Sequence, residues 1–208
     1  MTNRILAALS IAALTFSIAY AQEKPTRIRG TIEQMDGPMM TIKSREGETM
    51  KVKLADDGKI VAIVKASLAD IKPNSFVGST AMPQPDGSWN AVEVHIFPEA
   101  MRGTGEGDRP FDYKPKSTMT NGTVNAVGKS ATNGAVVKEE GATLTLKYKD
   151  SEKKVNVTPE TAIVTYAVGN KDELKPGAKI YITAATRQAD GTFMTGRINV
   201  GRGIAPPM

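Results

Sequence analysis

Residues 51–81 of this chain can be laid on residues 154–184, 103 positions further on, without a gap. Under that shift Lys51-Val52 falls on Lys154-Val155, Ile60-Val61 on Ile163-Val164, Ile71-Lys72-Pro73 on Leu174-Lys175-Pro176, and Thr80-Ala81 on Thr183-Ala184. One further residue of shift matches Asp86-Gly87-Ser88-Trp89 with Asp190-Gly191-Thr192-Phe193. A unit of this length exceeds the ~20–50 residues of a solenoid repeat and has the size of a small domain. The fold must therefore accommodate one strand pattern twice.

Within each copy, apolar residues alternate in short runs separated by Gly- and Asp-containing turns, which is the signature of antiparallel strands. In the first copy the spacing predicts strands over 27–35, 39–44, 49–54, 59–64, 75–82 and 88–97. Asp36-Gly37-Pro38, Glu46-Gly47, Asp56-Asp57-Gly58 and Asp86-Gly87 supply the turns. The second copy predicts strands over 119–127, 142–149, 153–157, 161–168, 179–185 and 192–200. Each copy holds one short helical turn, at 66–71 with Ser67 as its cap and at 170–174. The residues 128–140 have no counterpart in the first copy and read as a loop insertion.

These features predict an all-β chain: two tandem, small, OB-like antiparallel β-barrels, residues 22–97 and 118–200. An irregular strap over 98–117 joins them, and a disordered tail covers 201–208. Three prolines and three glycines in the strap oppose regular structure, while Phe97, Met101, Phe111 and Tyr113 give it enough apolar surface to dock. Its charged residues Arg102, Glu106, Asp108 and Arg109 are expected to fasten it through ion pairs. Its run Gly103-Thr104-Gly105-Glu106-Gly107 resembles a phosphate loop, but no helix or Lys-Ser/Thr follows it, so a strap is the expected role.

Residues 1–21 combine a charged start, a short apolar run and Ala19-Tyr20-Ala21 before Gln22. That is the anatomy of a cleavable signal peptide, so a periplasmic or secreted mature chain starting near Gln22 is expected, with no transmembrane span after cleavage. The chain has no Cys, so each core must hold without disulfides. A net charge of +5 is mild and scattered, and aromatics are 5% of residues. Nucleic acid is therefore not an expected partner.

Few residues suggest chemistry. His95 is the only histidine, which excludes multi-His metal sites. Strand alternation puts Val92, Val94 and Ile96 on the face expected to be buried, and Glu93, His95 and Phe97 on the face expected to meet solvent. The equivalent positions in the second copy hold Arg197 and Asn199. Met35, Met39, Met40 and Met50 gather around the first hairpin; thioethers suit Cu(I), and they equally suit core packing. Trp89 and Phe193 occupy matching positions, read either as a shared core site or as a stacking platform. With His95, Arg102 and Arg109 they form the candidate ligand or partner surface.

The span from Arg29-Gly30-Thr31 to Phe97, its echo from Asn121-Gly122-Thr123 to Val200, and the joining Pro98-Glu99-Ala100-Met101-Arg102-Gly103-Thr104-Gly105-Glu106-Gly107 resemble a group of exported proteobacterial proteins. That group is built from tandem small β-barrel domains of unknown function. Some members carry an automatic label of metal ABC transporter permease, which conflicts with a chain lacking several spanning helices. The resemblance implies the fold and export, and brings no catalytic residue. The expected function is a periplasmic, non-enzymatic binding or interaction protein, without cofactor, acting on an unknown periplasmic protein or small ligand. The alternative expectation is a copper-binding accessory protein using the four methionines.

Overall fold

The computed structural model describes residues 24–129 and 141–206; the signal-peptide expectation and most of the insertion lie outside them. The described residues form twelve strands in one continuous sheet: β1 (Thr26–Asp36), β2 (Met39–Ser44), β3 (Thr49–Lys65), β4 (Phe76–Pro83), β5 (Trp89–Ile96), β6 (Gly107–Pro110), β7 (Thr118–Lys129), β8 (Ala142–Tyr148), β9 (Ser151–Val157), β10 (Ala162–Val168), β11 (Lys179–Arg187) and β12 (Phe193–Gly201). The two predicted helical turns form as 3-10 turns, Leu68–Asp70 capped by Ser67 and Lys171–Glu173 capped by Asn170. The all-β reading therefore holds.

Strand pairing crosses the repeat boundary. β1, β2 and β3 from the first copy close into a five-stranded barrel with β11 and β12 from the second: β1 pairs with β11 and β2, β2 with β3, β11 with β12, and β12 runs parallel to β3. A second ring takes β4 and β5 from the first copy and β7, β8 and β9 from the second. It closes where β5 runs parallel to β10 and meets β9 at Asn90–Asn156. The boundaries 22–97 and 118–200 thus mark where strand order recurs, while the hydrogen bonding runs across them.

The two rings are related by an internal pseudo-dyad. β3 and β10 pair antiparallel, with Ile63 opposite Tyr166, and these two residues are each other's equivalents under the 103-residue shift. Likewise Ala162–Glu93 on β10 and β5 repeats Lys59–Arg197 on β3 and β12. The chain therefore has the arrangement of a strand-exchanged dimer made from a single polypeptide.

Each ring encloses its own core. Ile28, Ile32, Met40, Ile42, Val52, Ile180, Ile182 and Ile198 fill the first. Val77, Val94, Val124, Leu144, Leu146 and Val155 fill the second. These are the inward positions of alternating strands, and burying such side chains stabilises by about 1.5–3 kcal/mol each.

Three local expectations are corrected. The turn expected at 56–58 is instead a bulge inside the continuous β3, with residues 55–58 set against Gly196 alone. Gly58 permits this, since a Cβ there would stand 2.4 Å from the Leu54 side chain. In the second copy Pro159 lies in the matching stretch, and the strand divides into β9 and β10. The strap is not wholly irregular: it holds a 3-10 turn, Glu99–Met101, and β6 pairs antiparallel with β7. The tail is anchored as far as Pro206, because the Arg202 N–H donates to the Ile63 carbonyl and Arg45 to that of Pro206.

Candidate functional site: the polar layer between the barrels

Alternation along β5 gives it two buried faces. Val94 and Ile96 pack into the second core, as does Ala91 beyond a register shift at Val92, whereas Glu93 and His95 point outwards. Both are only 1% exposed, which corrects the solvent-facing placement of His95. The physical reason is tertiary: the outer face of β5 is roofed by the first barrel, and no single-strand period reveals a roof.

Cross-strand neighbours define the layer. Asn121, Gly78 and His95 form one row across β7, β4 and β5, and Met119, Thr80 and Glu93 form the next. The equivalent rows on the first barrel carry Arg29, Tyr181 and Asn199, with Arg197 at the position of Glu93. The two copies have thus diverged into faces of opposite character, an acid and an imidazole on one and arginines on the other.

The imidazole Nε2 of His95 lies within ion-pair reach of Glu93 Oε1. No group among the described residues is aligned to donate a hydrogen bond to either Glu93 oxygen, and Thr80 Oγ1 and Asn121 Oδ1 are likewise unpartnered. Asn121 is oriented by its amide, which donates to the Thr104 carbonyl of the strap at 2.9 Å. Asn199 donates to the Tyr181 carbonyl at 3.0 Å and accepts from Arg197 at 3.2 Å.

Aromatic rings complete the layer. Tyr166 stacks on His95 with centroids 5.4 Å apart, and Phe97 lies against both Tyr166 and Phe76. Burial pushes the Tyr166 hydroxyl far above its ordinary value, the Glu93 charge adds to the rise, and Arg197 opposes it. Burial also raises Tyr181, against the opposing charges of Arg29 and Arg27, with Asp112 and Glu93 adding to the rise. Met119, Tyr181 and Phe111 form a small apolar cluster joining the second barrel, the first barrel and the strap.

The strap clamps this layer from both sides. On the first barrel, Asp112 pairs with Arg27 at 3.0 Å and Arg29 at 2.8 Å, and both guanidinium groups sit over the Phe111 ring. On the second, Asp108 pairs with the buried Lys153 at 3.0 Å, and Lys153 lies 3.6 Å above the Trp89 ring. Glu106 accepts from the Lys149 backbone N–H.

The remaining candidates are dispersed. Trp89 is half-buried against the second core under Lys153, and Phe193 is half-buried against the first. Arg102 pairs with Glu99 and donates to the Asn74 carbonyl, while Arg109 donates to the Gly105 carbonyl. Met40 is fully buried, Met35 and Met50 pack against the same core, and Met39 is half-buried opposite Asp36. Among the described residues, no group of three His, Cys, Asp or Glu gathers at a metal-binding spacing.

Sequence reasoning missed Lys153 and Tyr166, and it noted Glu93 and Arg197 only as positions on a face expected to meet solvent. The signal available was the unlike pair of dipeptide positions, Glu93 and His95 against Arg197 and Asn199, at equivalent places in the repeat. Open grooves line the exterior. One, of about 550 Å3, has walls that include Lys65, Leu68, Pro159, Ile163 and Ile204.

The fold and this layer define an all-β protein containing a closed five-stranded barrel. Comparison with protein-family models, with curated proteins and with solved structures gave no match. No helix of the described residues is long and apolar enough to cross a membrane.

Proposed function

We propose that this chain is an exported, periplasmic binding or interaction protein and not an enzyme. The observation that supports this reading is the burial of its one imidazole: His95, with Glu93, lies sealed between the barrels, where it holds structure together and meets no solvent-borne substrate. A largely apolar groove on the exterior is the kind of surface a ligand or partner segment uses. Its occupant is an unidentified periplasmic protein or small molecule.

Cross-linked capture from periplasm with the mature chain tests the reading. A specific protein partner, or a co-purifying small molecule detected by mass spectrometry, is expected. Turnover of substrates in a broad hydrolase panel, lost on His95→Ala, would contradict it. For the soft-metal alternative, Met40 lies in the first core and Met35 and Met50 pack against it, so native mass spectrometry with Cu(I) is expected to find no bound ion.

A further inference from the structure

We propose that the open edge of β1 at Thr26–Arg29 is a strand-addition site for an extended peptide of a partner protein, one that carries an acidic residue and, two positions on, an apolar one. This rests on the binding reading above and names where the partner docks and what it presents. The internal repeat supplies the observation. On the second barrel β7 extends past the end of its pairing with β8, and β6 lies along the stretch left open, Gly107 against Asn121 and Arg109 against Met119. Asn121-Gly122-Thr123 repeats Arg29-Gly30-Thr31. β1 likewise extends past its pairing with β2, which stops at Gly30 and Ser44, and no strand among the described residues pairs with Thr26–Arg29 on that side.

Hydrogen-bond direction shows which groups are open. Alternate residues of an antiparallel strand turn their N–H and C=O to opposite edges. The Ile32 N–H donates to the carbonyl of Ala178, just before β11, at 2.9 Å, whereas the Arg29 carbonyl accepts from the Arg45 N–H on the other edge at 2.9 Å. The Arg29 N–H and both backbone polar groups of the exposed Arg27 therefore face the open edge. On the second barrel the N–H of Lys149, the counterpart of Arg45, is taken by Glu106, the residue just before β6. An edge of this kind is a template for another strand.

Differences between the copies state what fits. The Asp108 side chain of β6 meets Lys153, which lies over Trp89, at the mouth of the second barrel. The first barrel has Met50 and Phe193 at these places, and both line a groove of about 450 Å3. A carboxylate there would lose water without gaining an ammonium, so an apolar side chain belongs at the position of Asp108. Charge beside the edge is in positive surplus: Arg27 and Arg29 share the one carboxylate of Asp112, and the Arg45 guanidinium donates to the Pro206 carbonyl. Arg45 stands where Glu106 approaches on the second barrel, so an acidic residue belongs two positions before the apolar one.

The probe is a capped peptide of residues 104–110 carrying Asp108→Leu, added to the mature full-length chain and followed by NMR. Saturable binding is expected, with slowed amide exchange at Arg27 and Arg29. The peptide that keeps Asp108 should bind at least about tenfold more weakly. Adding Glu106→Gln to the probe should weaken it by about threefold. In the chain, Arg27→Pro removes an edge N–H and should weaken binding at least about tenfold, whereas Arg27→Ala, which loses the same side chain, should not. If Arg27→Pro does not fold, protection of the Arg29 amide in the unaltered chain decides. No saturable binding, shifts centred away from β1, or equal binding by Arg27→Pro and Arg27→Ala would overturn the site, as would sedimentation showing a second copy seated on this edge. A periplasmic partner captured equally well by the Arg27→Pro chain would overturn the site while sustaining the binding reading. Capture of no partner while the peptide binds at β1 would contradict that reading and sustain the site.

Discussion

Gly78 shows how tightly the seam is determined at the scale of single residues. It lies between Asn121 and His95 in its row, and a Cβ there would stand 2.8 Å from Asn121 Oδ1 and 3.0 Å from the Phe97 ring. Its equivalent on the other barrel is Tyr181, so one copy fills the space that the other leaves empty. Gly78→Ala is expected to destabilise the chain by about 1–3 kcal/mol in urea unfolding, since neither neighbour yields without losing its contact. Asp112 gives an acid response. Burial alone would raise its carboxyl, yet the bonds and charges of Arg29 and Arg27 hold it below the ordinary value. A depressed folded value means that the contribution is present above the unfolded value of about 3.9 and is lost as pH falls through the folded one. Limited proteolysis of the strap should therefore accelerate only below about pH 4, and the step should vanish in Asp112→Asn. At this scale the sequence was partly legible. Met40 and Val94 could be assigned to a core from periodicity, whereas Glu93 and His95 could not, because alternation identifies two faces of a strand and says nothing of what covers the second.

β10 carries the most at the scale of elements. It bonds to β3 on one edge and to β5 on the other, and the Thr165 hydroxyl donates to the Ile96 carbonyl at 2.9 Å. A proline cannot donate to either ladder, so Thr165→Pro is expected to cost about 3 kcal/mol or more, read as a lowered urea midpoint. The same change in β6, at Arg109, should be far milder, because β6 is a four-residue edge strand with one described partner. Strand positions were largely legible from the two-residue period and the Asp-Gly turns. The continuity of β3 through residues 55–58 was not: Asp56-Asp57-Gly58 has turn chemistry, and only the parallel partner β12 keeps it in the ladder as a bulge.

At the scale of the whole molecule, the repeat was legible and the exchange between its copies was not. β11 presents to β1 the same alternation that β4 would, so periodicity is satisfied by either partner and the choice falls to tertiary contacts. Among those contacts, the stacking of His95 and Phe97 from the first copy on Tyr166 from the second exists only if unlike copies meet. The most direct measurement uses the absence of native cysteine. Thr31 and Lys179 are partners across β1 and β11, whereas a barrel closed within the first copy would set Thr31 against Phe76, the residue equivalent to Lys179. Strand partners lie at a separation a disulfide spans. The account predicts that Thr31→Cys/Lys179→Cys oxidises to an intramolecular disulfide in the folded chain, seen by mass spectrometry, while Thr31→Cys/Phe76→Cys stays reduced. A disulfide in the second pair and none in the first would contradict it.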